Sequence, residues 1–170
     1  MPETKDLILR KAIQSDWMAM YRNIWRHPES AKYMLWDVTT SEADAISRME
    51  RTIRFQSEHP FHWTVVEKKS GQAIGWAGLR QVDDVTCEET GIALGPDFTG
   101  KGYGTQLLNA LTDFARDQLG AKRFLACCRS QNEASRRLQR ACGFRFTHRE
   151  AMTDPRNDEP YILEYYEKDL

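Results

Sequence analysis

The sequence predicts an α/β fold in which a mixed, mostly antiparallel central sheet of about seven strands has helices on both faces. Three features of the pattern support this. Strand-like segments follow one another in the first half with short turns between them, as in an antiparallel meander. Helical and strand-like segments alternate in the second half. Residues 102–119 place their apolar side chains on one helical face, which needs a sheet or another helix to cover it.

The N-terminal segment is predicted to form an edge strand followed by a helix. Residues 7–12 alternate apolar and polar side chains, the pattern of a strand with one buried face. Ser15 and Asp16 are residue types that cap helix N-termini, and the helix that they begin runs toward Trp25. The residue before a proline is biased away from helical geometry, so we expect this helix to end at His27 and Pro28.

An irregular stretch rich in large side chains comes next. It is either buried core or the wall of a binding pocket, and core is the commoner fate of such residues. The side chains concerned are Trp25, Tyr33, Met34 and Trp36. A second helix is predicted next, because apolar residues recur at a spacing of three or four. Thr40 or Ser41 would cap its N-terminus. Its apolar face consists of Ile46, Met49, Ile53 and Phe55.

The remaining elements follow from alternation, periodicity and turn residues. The meander strands are predicted at 62–67, 72–81 and 86–94, and Gly95 with Pro96 ends the last of them. The back half is predicted as helix 102–119, strand 122–128, helix 132–141 and strands 144–149 and 161–166. Gly120 and Gly143 stop the two helices.

Composition limits the class of protein. The chain has 170 residues and a net charge of −1, which suits one domain over 1–170 and no nucleic-acid partner. No apolar run approaches about 18 residues, so we expect no membrane association. Residues 1–10 carry Glu3, Lys5 and Asp6 without a long apolar stretch, so we expect no secretory signal. The cysteines have neither C-x-x-C nor zinc spacing and predict reduced thiols in a cytoplasmic protein without a metal. They are Cys87, Cys127, Cys128 and Cys142.

A glycine-rich segment precedes the long amphipathic helix. It reads Gly100-Lys101-Gly102-Tyr103-Gly104-Thr105. Glycines allow close backbone approach, and the free amides and dipole of a helix start favour an anion, so a phosphate or pyrophosphate fits here. A magnesium-binding P-loop is excluded because Gly102 stands where a hydroxyl is needed, and a dinucleotide fingerprint because Thr105 replaces its third glycine. The alternative is a simple helix entry.

A second segment, from Asn132 to Phe144, fits N-x-x-[A/S]-x-x-L-x-x-x-G-F. Together with the glycine segment it resembles the GNAT acetyltransferase superfamily, whose pyrophosphate loop reads [Q/R]-x-x-G-x-[G/A]. The resemblance covers nearly the whole chain and is nearest to the RimJ/RimL-like branch, which acetylates ribosomal-protein N-termini. Thr99 departs from the family's Gln or Arg, which removes one side-chain contact near the pyrophosphate.

The resemblance implies acetyl-CoA as cosubstrate, held where two parallel strands splay apart, here residues 89–94 and 124–128. The pantetheine arm would pair with the backbone of Ile92, Ala93 and Leu94 like an added strand. The pyrophosphate would bind the segment from Thr99 through Gly100, Lys101, Gly102, Tyr103 and Gly104 to Thr105, with Tyr103 packing on CoA or in solvent. Asn132 would bond to the pantetheine, or only cap its helix.

The resemblance also implies the catalytic groups. Glu89 lies two residues before Gly91, as in the E-x-G pattern of the branch, and is the favoured general base for the attacking amine. Glu88 points to the opposite face of the strand. Ser135 matches a serine of the branch and would be the acid, or else a helix-surface hydroxyl. Gln139 stands where many members of the family have a tyrosine that acts as the general acid, so the resemblance implies no such tyrosine here.

The acceptor stays open at this stage. The resemblance implies a primary amine, either a protein N-terminus or a small molecule; the alternatives are a polyamine or aminoglycoside, or a CoA-binding regulatory module without catalysis. Asp37 or Glu42 would attract a cationic amine. Phosphate contacts beyond the loop amides are assigned to Lys101 and to three helix residues that otherwise face solvent. These are Arg136, Arg137 and Arg140. The oligomeric state is open, with a homodimer as one option.

Overall fold

Seven strands and five α-helices occupy the part of the chain that the structure, a computed structural model, describes, residues 2–170. The strands are β1 (Leu7–Arg10), β2 (His62–Glu67), β3 (Ala73–Gln81), β4 (Thr86–Leu94), β5 (Arg123–Arg129), β6 (Arg145–Thr153) and β7 (Pro160–Asp169). The helices are α1 (Trp17–Met20), α2 (Pro28–Ala31), α3 (Glu42–Glu58), α4 (Tyr103–Leu119) and α5 (Glu133–Ala141).

All seven strands belong to one sheet with the order β1-β2-β3-β4-β5-β7-β6. Every neighbouring pair is antiparallel except β4 and β5, which run parallel. The predicted mixed, mostly antiparallel sheet is therefore confirmed. Within residues 2–170, no helix combines the length and the apolar character needed to cross a membrane.

Helices cover both faces of the sheet, as predicted. On one face α4 buries Leu107 and Leu111 completely against strand residues that include Phe124. On the other face α3 buries Met49 in a second apolar cluster with Trp25. Each such side chain contributes about 1.5–3 kcal/mol through removal of apolar surface from water, so the two clusters hold the helices to the sheet.

The first predicted helix is wrong in its form. It consists of a 3₁₀ turn at Gln14–Asp16, the single-turn α1, and a π-helical turn at Tyr21–Trp25. Asp16 stands at the N-cap position of α1, as predicted, but its side chain caps no amide of that helix. Its carboxylate instead accepts from the Ile13 amide at 3.0 Å and from both terminal nitrogens of Arg10 at 2.7 Å. This pair with a residue six positions earlier takes the place of the cap bond.

The closing strands are longer than predicted, since β6 reaches Thr153 and β7 reaches Asp169. Every residue of β6 is exposed, and this strand lies at the edge of the sheet. A strand without a buried face needs no alternation of apolar and polar side chains, so the sequence carries no signal for where such a strand ends.

Lys11 joins β1 to the end of α3. Its ammonium nitrogen donates to four backbone carbonyl oxygens, those of Gln56, His59, Pro60 and His62, at 2.8–3.0 Å. A helix end leaves carbonyl groups without intrahelical donors, and the lysine supplies them. This contact sets the position of α3 relative to the start of β2.

We expect Lys11→Met to reduce the free energy of unfolding by about 1–3 kcal/mol, because it removes the charged donor from these carbonyl groups. Urea denaturation measures the loss. Lys69→Met is the control, since Lys69 is exposed and makes no hydrogen bond with a described residue. Equal stability of the two variants would contradict the structural role of Lys11.

Candidate functional site

The two parallel central strands separate part of the way along their length. Residues pair from Thr86 with Arg123 to Glu88 with Leu125, and pairing stops there, although β4 continues to Leu94 and β5 to Arg129. Beyond this point the edges of β4 and β5 that face each other leave backbone N–H and C=O groups without a strand partner. The splayed parallel pair that the resemblance implied is therefore present.

A bulge in β4 lies at the same place. Across to β3, Glu89 pairs with Leu79 while Gly91 pairs with Gly78, so Thr90 is the extra residue. Bulges redirect side chains next to functional sites in many sheets. The Thr90 hydroxyl is hydrogen-bonded to Nε2 of a histidine on β2, His62, at 2.6 Å.

Glu89 is the first residue of β4 beyond the last pair with β5. Burial, followed by the charge of Glu88, raises the pKa of Glu89 to about 7, while hydrogen bonds from the Gly91 and Ile92 amides act in the opposite direction. Glu88 forms an ion pair with Arg80 at 2.6 Å instead. A carboxyl group with this pKa exchanges a proton near neutral pH, as a general base must.

The glycine segment is open to its surroundings. Gly100 and Gly102 have φ values of 73° and 78°, which favour glycine, and a Cβ built on either residue meets no atom within 4 Å. Among the described residues, no acceptor takes a hydrogen bond from the amides of residues 100–105. The first amide hydrogen bond of the helix is donated by Gln106 to the Gly102 carbonyl. Lys101 is exposed beside the Phe98 ring.

Tyr103 differs from its prediction as a side chain that packs on CoA or in solvent. Its ring is 9% exposed, and its hydroxyl donates to Glu67 Oε1 at 2.7 Å. This hydrogen bond is the main cause that lowers the pKa of Glu67. The side chain therefore attaches α4 to β2, and what Tyr103 leaves without a hydrogen-bond partner among the described residues is its backbone amide. Gly104 is close to Leu138 of α5, where a Cβ would lie 3.2 Å from a methyl group.

The start of α5 faces β5 beyond the point of separation. Asn132 caps the helix, since its side-chain oxygen accepts from the Ser135 amide at 3.2 Å. Ser135 is half-buried, and its hydroxyl contacts the Cys128 thiol and accepts from Gln139 at 3.4 Å. Gln139 is 1% exposed, and its Oε1 has no partner. Ser135 thus points toward the sheet and not into solvent.

The three arginines of α5 are not equivalent. Arg136 is paired with Glu164 at 2.8 Å and with Glu133 at 2.9 Å, so its charge is already used within the protein. Arg137 is largely exposed and lies 3.9 Å from Glu133. Arg140 is exposed. Of the three, the last two are available to an external phosphate.

A cavity of about 680 Å³ lies between α3 and the sheet. Its wall includes Trp25, Trp36, Arg48, Arg51, His62 and Thr90. Thr90, the residue that follows Glu89 in β4, is part of this wall, whereas Glu89 itself is not among the lining residues. Burial, followed by the charges of His59 and Lys11, lowers the pKa of His62 to about 4, so its ring is neutral at pH 7.

Most residues of this wall carry no signal in the sequence that marks them as a pocket. Both readings of the aromatic stretch hold: Trp36 packs against the second apolar cluster and also lines the cavity, and Trp25 is 2% exposed and part of the wall. Asp37 lines the cavity but is paired with Arg156, and Glu42 lies outside it. The signal that was available is the spacing of polar residues along α3, where Asp44, Arg48, Arg51 and Thr52 share one face. Phe55, which was predicted on the apolar face of this helix, also lines the cavity.

Comparisons with known proteins agree with this geometry. Residues 6–145 match the model of the acetyltransferase (GNAT) domain family. The L-amino acid N-acyltransferase MnaT of Escherichia coli (strain K12) is 31% identical over 141 residues, which cover 80% of this chain and 78% of MnaT.

Solved structures share the fold. An acetyltransferase of the GNAT family from Bacillus anthracis superposes with a TM-score of 0.83 at 20% identity, covering 99% of this chain and 97% of that one. RimL, a ribosomal L7/L12 α-N-protein acetyltransferase in complex with coenzyme A, gives 0.73 at 19% identity over 99% and 97%.

Removing the Tyr103 hydroxyl should destabilise the protein. We expect Tyr103→Phe to reduce the free energy of unfolding by about 1–3 kcal/mol, because the buried Glu67 carboxylate loses a donor. Urea denaturation measures this. The matched control is Tyr161→Phe: the Tyr161 ring contacts Arg129, and its hydroxyl bonds to no described residue. The assignment fails if both variants unfold at the same urea concentration.

Proposed function

This chain belongs to the GNAT acetyltransferase family, and on that basis we propose that it transfers the acetyl group of acetyl-CoA to a primary amine. The observation that supports the proposal most directly is the early end of pairing between β4 and β5. An open strand edge accepts an extended ligand as an added strand. The amide-containing arm of CoA has the hydrogen-bonding groups to do this.

The residues around the opening fit acetyl-CoA. In our proposal the backbone of Ile92, Ala93 and Leu94 pairs with the pantetheine arm, and Asn132 adds a side-chain contact across the gap. The pyrophosphate binds the loop of residues 99–105, whose unused amides lie at the positive end of the α4 dipole. The open space over Gly100 and Gly102 leaves room for the phosphates. Lys101 adds a positive charge.

The reaction that we propose is direct attack by the amine. Acetyl-CoA supplies a thioester; the amine nitrogen forms a bond to its carbonyl carbon, the carbon–sulfur bond breaks, and the nitrogen loses a proton. Glu89 receives that proton, because its raised pKa makes it a base that is half ionised near neutral pH. The departing sulfur takes up a proton, for which we propose Ser135 or water as the source.

Two kinds of acceptor follow from the relatives. The name of MnaT describes an enzyme that acts on L-amino acids, and that of RimL an enzyme that acts on a protein α-amine. We propose that this chain takes a small-molecule or protein N-terminal amine in the cavity between α3 and the sheet. We also propose that 1–170 form one domain, because β6 and β7 extend the same sheet past the matched residues.

Alanine substitutions at two glycines distinguish an effect on acetyl-CoA affinity from an effect of backbone strain on stability. Gly102 and Gly120 have φ values of 78° and 68°, and a Cβ at either residue meets no atom within 4 Å. Alanine at either position should cost about 1–2 kcal/mol of stability. Only Gly102→Ala should also weaken acetyl-CoA binding, by about 10-fold, because it disturbs the amides that hold the phosphates. Calorimetric titration measures the affinity; equal binding by the two variants would remove the loop from the site.

The pH dependence of turnover tests Glu89. Since the base acts when deprotonated, wild-type activity should rise with pH through about 7. Glu89→Gln should remove this limb and lower kcat by about 100-fold or more, with acetyl-CoA affinity unchanged. Glu88→Gln is the matched control: it keeps the base but removes the neighbouring negative charge, so the pKa of Glu89 falls and the limb moves to lower pH.

Thiol release, followed spectrophotometrically, gives both profiles. Wild-type turnover by Glu89→Gln would rule Glu89 out as the base. Acetyl-CoA binding without thiol release for any amine would instead favour a regulatory module without catalysis.

A further inference from the structure

The charged groups that line the cavity between α3 and the sheet differ in whether they have hydrogen-bond or ion-pair partners. Asp37 accepts from Arg156 at 3.1 Å, and Asp44 accepts from the Ser41 hydroxyl at 2.7 Å at the first turn of α3. Neither arginine of the wall, Arg48 or Arg51, has a carboxylate within ion-pair distance among the described residues. Asp44 keeps its negative charge without an ion pair, but with His62 neutral the two arginines outnumber it, so the excess charge without a partner in the cavity is positive.

Arg48 is held in a fixed orientation. Its guanidinium lies between two indole rings, 4.8 Å from the centroid of Trp25 and 4.5 Å from that of Trp36. One terminal nitrogen donates to the Asp37 carbonyl at 3.2 Å and to the Thr39 hydroxyl at 2.9 Å. Stacked guanidinium groups keep their planar fork of donors aligned.

The remaining donors of Arg48 are unused. Its Nε and second terminal nitrogen donate to no described residue. Burial, followed by the charge of Arg51, lowers the pKa of Arg48 to about 10, which leaves it charged at neutral pH. A half-buried cation with free donors, next to a second cation, matches a group with two acceptor oxygens and a negative charge.

We propose that the acceptor is an amino acid whose free carboxylate binds Arg48, assisted by Arg51, while its amine lies toward Thr90 and Glu89. This deepens the proposed function and rests on it. A polyamine or aminoglycoside would bring further positive charge to unpaired arginines, and a peptide N-terminus has no carboxylate beside its amine. Arg48 acts on specificity and takes no part in the proton transfers.

The wild-type enzyme tests the proposal without any variant. A panel of the twenty amino acids identifies the best acceptor, which is then compared with its own carboxamide and with spermidine. We expect the acid to exceed the carboxamide by about 10-fold or more in kcat/KM, as for a lost hydrogen bond to a charged group. The carboxamide has the less basic amine and therefore the larger free-amine fraction near neutral pH, so the supply of free amine cannot produce this preference.

Variants of α3 assign the preference to Arg48. Arg48→Gln should raise KM for the acid by about 10- to 100-fold while KM for the carboxamide and for acetyl-CoA stays unchanged. Arg51→Gln, at an exposed residue, should have a smaller effect in the same direction. Arg54→Gln is the matched control, because Arg54 is exposed on the same helix, outside the cavity and without an ion pair.

The outcomes separate the two hypotheses. If acetyl-CoA gives no thermal shift and no amine is acetylated, the proposed function itself fails. If carboxamides, spermidine or peptides with a neutral first residue are acetylated as well as the acid, the carboxylate proposal is wrong and the acetyltransferase remains. An unchanged preference for the acid in a folded Arg48→Gln enzyme also overturns the role of Arg48.

Discussion

Backbone hydrogen bonding between β4 and β5 ends after Glu88 and Leu125, and the rest of the site is arranged around the edges that this leaves open. A sheet satisfies its peptide groups through its neighbours, so an interruption between two central strands needs a ligand or water to replace the missing strand. The bulge at Thr90 lies at the same place, where β4 loses β5 as a neighbour while it stays paired with β3. Glu89, next to it, is held by a central strand of the sheet and not by a mobile loop.

The cavity wall is held by ion pairs that reach across the fold. Asp154 is buried and accepts from Arg129 at 2.9 Å and from Arg156 at 2.8 Å, which lowers the pKa of its carboxyl group far below the usual range. Arg156 also donates to the Trp36 carbonyl and to Asp37. The turn between β6 and β7 thus fixes the segment that completes the stack on the arginine of α3. A rigid wall keeps a binding group in position before its ligand arrives.

Desolvation shifts the pKa values of Glu89 and Arg48 in opposite directions. It raises the pKa of Glu89 to about 7, which makes that carboxyl group a base near neutral pH. It lowers the pKa of Arg48 to about 10, which is still high enough to keep the charge. Burial thus gives a carboxylic acid a pKa suited to proton exchange, whereas a guanidinium stays a cation available for an anion.

The sequence by itself predicted most strand and helix segments, the glycine loop and the place of Glu89 in β4, because periodicity, turn residues and short motifs are local signals. It did not predict the broken first helix or the full length of β6 and β7. It did not determine where Tyr103 points, since its partner Glu67 is 36 residues away. Nor did it reveal the cavity, whose wall combines α3, an irregular aromatic segment and the bulged strand. Such contacts exist only once the sheet brings distant segments together, and that is why the tertiary structure alone identified Arg48.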